Sequence, residues 1–205
     1  MIPNNSFIIR DATIDDVQSI RDIYCHYVRE ETCTVELAEP SLEEFTSRFN
    51  HIVVNERNPY YVATTTIKTP GDSDSSQTET TVIAGYAYIH LFNSRSGYKY
   101  TCEDTIYLNP AFKGCGLGAL MLKRLITVAT KMGYRQMIGC TSTNNEQSGR
   151  LHTKHGFQYL HKINNIALKF GQWIGVEYYQ LALGEGDSNL PTSPIIPYDP
   201  TSNYI

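Results

Sequence analysis

The sequence predicts a mixed α/β domain with one central sheet and helices on both of its faces. Three observations carry that expectation. β-Branched and aromatic runs recur along the chain, amphipathic runs with helical spacing separate them, and a glycine-dense turn, KGCGLG at 113–118, feeds a strand into a helix. At 205 residues the chain is long enough for one well-buried core with a tail to spare.

The elements follow in order. SFIIRDA (6–12) reads as a strand, and Thr13 with Asp15 and Asp16 opens a helix whose apolar Val17, Ile20, Tyr24, Tyr27 and Val28 keep helical spacing to about Glu30. Ser41 with Glu44 has the pattern of a capping box and starts a second helix through Phe45 and Phe49. YYVATTTIK (60–68) and TVIAGYAYIHLF (81–92) have strand composition, and the polar TPGDSDSSQTET (69–80) between them reads as a surface loop. DTIYLN (104–109) is a strand stopped by Pro110. Leu117, Leu120, Met121, Leu125, Val128 and Met132 form an apolar helical stripe, with Gly133 at the expected C-cap. RQMIGC (135–140) is a short strand, NNEQSGRLHTKHG has helical spacing, and two late strands fall near 157–168 and 176–183. The domain therefore spans 1–183, and residues 184–205, with four prolines and few core formers, are expected to be an extended or disordered tail.

Composition limits the partners. A net charge of −4 with scattered Lys and Arg argues against a nucleic-acid footprint. No segment is apolar enough to suggest a membrane, and MIPNNSFIIRDA lacks the apolar run of a signal peptide. Cys25, Cys33, Cys102, Cys115 and Cys140 are odd in number and form no CxxC, so neither a disulfide scaffold nor a metal site is expected. A reduced, cytoplasmic protein follows as the expectation.

Three glycines in five residues before a helix bring backbone N–H groups within reach of an anion, a phosphate above all. The same glycines also serve a tight turn with no ligand. GCGLGA satisfies a dinucleotide fingerprint, but the acid that fingerprint needs about 20 residues on is missing, since the next strand ends at Cys140-Thr141. No Gly-Lys-Ser/Thr follows the loop, which removes the Walker reading as well.

The remaining Lys-x-x-Gly-x-Gly run resembles the pyrophosphate loop of the GNAT N-acetyltransferases. IRDATIDDVQSIRDIYCHYV, CEDTIYLNPAFKGCGLG, NNEQSGRLHTKHGF and KFGQWIGVEYYQLAL extend that resemblance over residues 7–183, to the phosphinothricin and methionine sulfoximine acetyltransferase branch. It implies a GNAT fold: a mixed, mostly antiparallel sheet splayed between its middle strands. It also implies acetyl-CoA as cosubstrate, with Lys113, Gly114, Cys115, Gly116, Leu117, Gly118 and Ala119 around the pyrophosphate. Ile106, Tyr107 and Leu108 would lie along the pantetheine, and Asn145 would touch the cofactor from the far side.

For the chemistry, the resemblance implies Glu103 as general base and allows His152 as the group that protonates the leaving thiolate; the amide of Leu108 would polarise the thioester carbonyl. By strand alternation Glu103, Thr105 and Tyr107 share one sheet face. Read by themselves, Glu103 is also compatible with a solvated strand carboxylate and His152 with a packed helix histidine, His155 standing close by. Arg95 matches an anion-binding arginine in the acceptor loop LFNSRSGYKY, which also carries Tyr98. Asn93 stands where phosphinothricin enzymes carry lysine, and Gly175 where an acid is frequent.

The expected function is therefore acetyl-CoA-dependent N-acetylation of the α-amino group of a small amino-acid-like molecule, by direct transfer in a ternary complex. Alternatives are a polyamine or protein N-terminus as acceptor, and a non-catalytic acetyl-CoA-binding module. The family resemblance also implies a homodimer.

Overall fold

The computed structural model describes residues 7–70, 77–186, 188–202 and 204. In chain order its elements are β1 (Ile8–Asp11), α1 (Val17–Glu30), α2 (Leu42–Asn50), β2 (Tyr60–Pro70), β3 (Gln77–Leu91) and β4 (Thr101–Leu108). There follow α3 (Leu117–Met132), β5 (Gln136–Ser142), α4 (Glu146–Lys154), β6 (Gln158–Lys169) and β7 (Gln172–Ala182). The strands form one sheet in the order β1-β2-β3-β4-β5-β7-β6. Every neighbouring pair is antiparallel except β4 and β5, which run parallel.

The local signals behave as physical chemistry requires. Ser41 caps α2 by accepting from Glu44 N at 3.1 Å. Thr13 N donates to Asp16 at 2.8 Å while Arg10 grips the same carboxylate with two nitrogens at 2.7 and 2.8 Å, tying β1 to the start of α1. α1 and α2 bury Ile20, Tyr24, Tyr27, Phe45 and Phe49 against Tyr60, Val62 and Tyr86 on one sheet face. On the other face α3 buries Leu117, Met121, Leu122, Leu125, Val128 and Met132 against Ala87, Ile89, Cys102 and Met137. Each such side chain contributes roughly 1.5–3 kcal/mol.

Three expectations change. Leu120 is not part of the buried stripe of α3: it is 52% exposed, and Leu122 takes its place one helical face round. The polar loop expected at 69–80 is shorter, because β2 and β3 keep pairing through Lys68↔Glu79 and Pro70↔Gln77. Threonine-rich polar sequence is compatible with an exposed two-stranded ribbon, which hydropathy alone does not separate from a loop. The centre of that loop, 71–76, lies outside the described residues. β4 begins at Thr101, before the expected Asp104, so Glu103 lies within a paired strand.

The proline-rich tail has no helix or strand between 188 and 202, and it is pinned to the domain. Ile196 N donates to Met132 O at 2.8 Å, and Tyr198 N donates to Arg57 O at 2.9 Å. The Tyr198 hydroxyl donates to Asp11 at 2.7 Å and accepts from Tyr61 at 3.0 Å. Ile195, Tyr198 and Tyr204 pack against the α3-side core.

Candidate active site

The parallel ladder between β4 and β5 is short. It runs from Thr101↔Gln136 to Asp104↔Gly139 and stops, although β4 continues to Leu108 and β5 stays paired to β7 as far as Ser142↔Val176. Beyond Asp104 the two strands part and leave a slot. Phe92 N donates to Thr101 O, and Asn109 N donates to Ala84 O, so odd-numbered residues of β4 turn their main-chain groups to β3. By alternation, Ile106 and Leu108 turn theirs to the slot and Tyr107 does not. Leu108 O accepts from the Tyr27 hydroxyl, which leaves its N–H as the slot-facing donor. Tyr107 instead packs its ring against Tyr24 and Tyr27, at centroid distances of 5.2 and 5.1 Å.

At the far end of β4 the chain turns into α3. Gly114 and Gly116 hold φ of +80° and +83°, and a Cβ at either would meet nothing within 4 Å. Glycine is required there by backbone conformation, and the space over the turn is open. The first N–H groups of α3, at Leu117 and Gly118, point out of a helix N-terminus, whereas Ala119 N is already bonded to Gly116 O at 3.1 Å. Ala119 N is thereby engaged within the turn itself. Lys113 is drawn aside too: its amine lies 3.3 Å from Glu31 and 4.8 Å from the Tyr27 ring centre, both on the α1 side. The Cys115 thiol donates back to Phe112 O within the turn. Asn145 caps α4, accepting from Ser148 N at 3.2 Å.

Glu103 and Asp104 are the last two β4 residues on the parallel ladder, and they face opposite sides. Glu103 lies on the α1–α2 face, directly across the β3–β4 ladder from His90, whose Nε2 is 4.0 Å from its carboxylate. Burial pushes the Glu103 carboxyl above the ordinary carboxylate range; His90 opposes that rise and neighbouring Asp104 adds to it.

Asp104 lies on the α3–α4 face, where His152 Nε2 is 3.2 Å from both carboxylate oxygens and Nδ1 donates to Ser148 O at 2.8 Å. The ring reaches Asp104 by crossing β5 at Gly139, where a Cβ would come within 2.5 Å of it. Burial works against a charge on His152, but the hydrogen bond and charge of Asp104, with the Ser148 carbonyl, outweigh it and raise the proton affinity. Glu103 and His152, expected together, are thus brought to the same end of the slot on opposite faces of the sheet.

The hairpin turn 92–100 lies at the Glu103 end of β4. Arg95 is exposed there, its N–H held by Asn93 Oδ1 at 3.0 Å, and Tyr98 rests edge-on against Phe92. The same face carries a network that sequence reasoning missed. Tyr24 bonds Thr34 at 2.8 Å, and Arg48 bridges Glu36 and Glu44 at 2.6 and 2.5 Å. A groove of about 590 Å³ lies elsewhere, lined by Arg10, Asp16, Asp22, His26 and Thr64, and includes none of the slot's acid or histidine residues. Among the described residues no group of His, Cys, Asp or Glu has the arrangement of a metal site, and no helix is long and apolar enough to cross a membrane.

Comparison with known proteins agrees with this geometry. Residues 18–157 match the model of the acetyltransferase (GNAT) family. The chain is 32% identical over 185 residues to the phosphinothricin N-acetyltransferase of Alcaligenes faecalis, covering 90% of this chain and 85% of that one. It is 36% identical over 107 residues to the L-methionine sulfoximine/L-methionine sulfone acetyltransferase of Salmonella typhimurium, covering 52% and 63%. The fold matches the crystal structure of a GNAT phosphinothricin acetyltransferase from Sinorhizobium meliloti in complex with acetyl-CoA, with a TM-score of 0.81, 33% identity and coverage of 93% and 96%. A Salmonella typhimurium protein solved with its cofactor acetyl-CoA gives a TM-score of 0.78 at 26% identity, covering 92% and 99%. A splayed β4–β5 pair, a glycine turn at a helix N-terminus and these likenesses together place the chain in the GNAT family, as an N-acetyltransferase close to the phosphinothricin and methionine sulfoximine acetyltransferases.

Proposed function

We propose that the protein transfers the acetyl group of acetyl-CoA directly to the α-amino group of a small amino-acid-like acceptor of the phosphinothricin or methionine sulfoximine type. The observation that carries this reading is Glu103, a partly buried carboxylate of raised proton affinity beside a slot whose edge offers the Leu108 N–H. The open space over Gly114 and Gly116, with the N–H groups of Leu117 and Gly118 behind it, fits a pyrophosphate. The slot-facing groups of Ile106 and Leu108 fit strand-like bonding to pantetheine.

In this reading Glu103 takes a proton from the acceptor's ammonium, and the resulting amine attacks the thioester carbonyl. Leu108 N–H stabilises the charge that develops on the carbonyl oxygen. Collapse expels the thiolate, which takes up the second N–H proton; His152, held on the opposite sheet face by Asp104, orders the β4–β5 framework beside it. Asn145, the N-cap of α4, is the candidate contact to the cofactor from the far side. Arg95 and Tyr98, at the Glu103 end, are the candidates to hold the acceptor's anionic group, Arg95 through its two-pronged guanidinium.

A polyamine acceptor is the rival. The observation in its favour is that Glu36 and Glu44 present two carboxylates to the single guanidinium of Arg48 on the acceptor side. Thiol release measured over a panel of amino acids, their neutral amides and polyamines decides between them. Turnover of amino acids over their amides supports the proposal; turnover of polyamines alone replaces it; and acetyl-CoA binding without any turnover makes the chain a binding module.

The edge strand β6 and the β6–β7 turn expose Leu160, Ile166, Leu168, Phe170 and Trp173 in one region. Such a surface supports pairing with a second copy, which sedimentation measures directly.

A further inference from the structure

We propose that His90 is a positioning residue for Glu103 and the outlet through which that carboxyl group passes its proton to solvent. The inference rests on Glu103 being the base.

Four observations carry it. First, His90 and Glu103 are direct partners on the β3–β4 ladder, so their side chains leave the same face of two rigid strands side by side. Second, the orientation of the ring is fixed. Nδ1 lies 3.0 Å from Leu91 O, and a carbonyl only accepts, so Nδ1 carries the proton. The neutral ring then turns a lone pair on Nε2 toward Glu103 Oε1, the form required to receive a proton. Third, the separation of 4.0 Å is outside hydrogen-bond reach, as is common for catalytic contacts before substrate arrives, and a small rotation or one water closes it. Fourth, exposure rises outward along the pair, from 23% for Glu103 to 31% for His90, which connects a partly buried acid to bulk water.

The proton balance gives the pair a task. An acceptor that arrives as an ammonium has two protons to lose. One leaves with the thiolate as thiol, and the other must reach solvent once per turnover. Glu103 takes that proton and becomes a carboxylic acid; the acid passes it to His90 Nε2; the imidazolium releases it at its exposed edge and the carboxylate is restored. Imidazole suits the step because one ring nitrogen accepts a proton while the ring can release one to water from its exposed edge.

Other charges bear on the pair from every side. Tyr88 lies next to His90 on β3, at a ring distance of 5.9 Å, and Asp104 follows Glu103 on β4. Glu56 accepts from Leu91 N at 2.9 Å and pairs with His51 at 3.3 Å. Arg48 and Glu36 act on Tyr88, while Cys140 on β5 and Tyr178 on β7 feel Glu103. His90 is the imidazole facing Glu103 across the ladder.

The test compares wild type, His90→Gln, Glu103→Gln and the double variant, with His90→Asn as a second replacement of the ring and His90→Gly for rescue by imidazole. His90→Gln should lower kcat about tenfold, less than the ~10²–10⁴-fold typical of losing the base itself, with both KM values nearly unchanged. Its acidic limb should move to higher pH, because the protonated form of His90 favours the Glu103 carboxylate and glutamine has no such form. Added imidazole should restore part of the rate in His90→Gly and none in Glu103→Gln. In the double variant the His90 change should add nothing further. A wild-type rate and pH profile in folded His90→Gln and His90→Asn would overturn the proposal, as would an equal further loss in the Glu103→Gln background. If Glu103→Gln itself keeps the wild-type rate, the base assignment fails instead, so the two failures are distinguishable.

Discussion

Glu103 and Asp104 are consecutive residues of one strand, and each faces a histidine, yet the two pairs are built for opposite ends. Glu103 and His90 stand 4.0 Å apart at a partly open surface. Asp104 and His152 are 3.2 Å apart, 3% and 5% exposed, and the second ring nitrogen is bound to Ser148 O. An acid and an imidazole at the mouth of a cleft exchange a proton readily because either form is solvated. The same groups in the interior hold it, because separating the charges would strand each without a partner. Burial and the number of fixed partners decide the difference, since the side chains are chemically alike.

The most severe way to break the comparison is Glu103→Gln. On the outer face it should lower kcat by about 10²–10⁴-fold near neutral pH, with partial recovery at alkaline pH as more of the acceptor is already neutral. A steady-state pH profile checks this, and in wild type the acidic limb should lie above the ordinary carboxylate range.

On the inner face, Asp104→Asn should act on stability. Stranding a buried histidine costs about 3–5 kcal/mol when one partner of such a pair is removed. The pH dependence has a definite sign. His152 binds its proton more tightly folded than unfolded, so its stabilisation is complete below the unfolded value and is lost as pH rises through the raised, folded one. Denaturant unfolding at a series of pH values should show that decline in wild type and its loss in Asp104→Asn.

Arg95→Ala tests a residue outside both pairs. If the guanidinium reads an acceptor's anion, kcat/KM should fall roughly 10- to 100-fold through acceptor KM, corresponding to about 1.5–3 kcal/mol, with the pH limbs unmoved. An equal penalty on an amino acid and on its neutral amide would remove the anion-reading role. The smallest change is expected of Tyr198→Phe, which deletes the tail's bonds to Asp11 and Tyr61. Thermal unfolding should register about 1–2 kcal/mol, and acetyl transfer should keep its wild-type pH profile.

The parts of the site written in local conformation were legible from the sequence. Gly114 and Gly116 stand out because positive φ selects glycine, and the face of Glu103 follows from a period of two. Partnerships between distant segments were not. His90 gains its meaning from the β3–β4 register, and Asp104 meets His152 across 48 positions of chain through the gap at Gly139. A single sequence carries alternation but not register, so an acidic residue shows its face without showing what it faces. Lys113 has the same history: its place in the glycine motif points to an anion, while its amine is engaged by Glu31. The prolines of the tail indicated extended chain, but its tyrosine and isoleucine anchors are useful only against β1, β2 and α3, which composition does not reveal.

The contact between Tyr198 and Asp11 joins residues 187 positions apart. During synthesis Asp11 leaves the ribosome long before Tyr198, so this contact closes only after the segments between them have been made. Until then Tyr61 and the end of α3 remain uncovered beside the growing polypeptide.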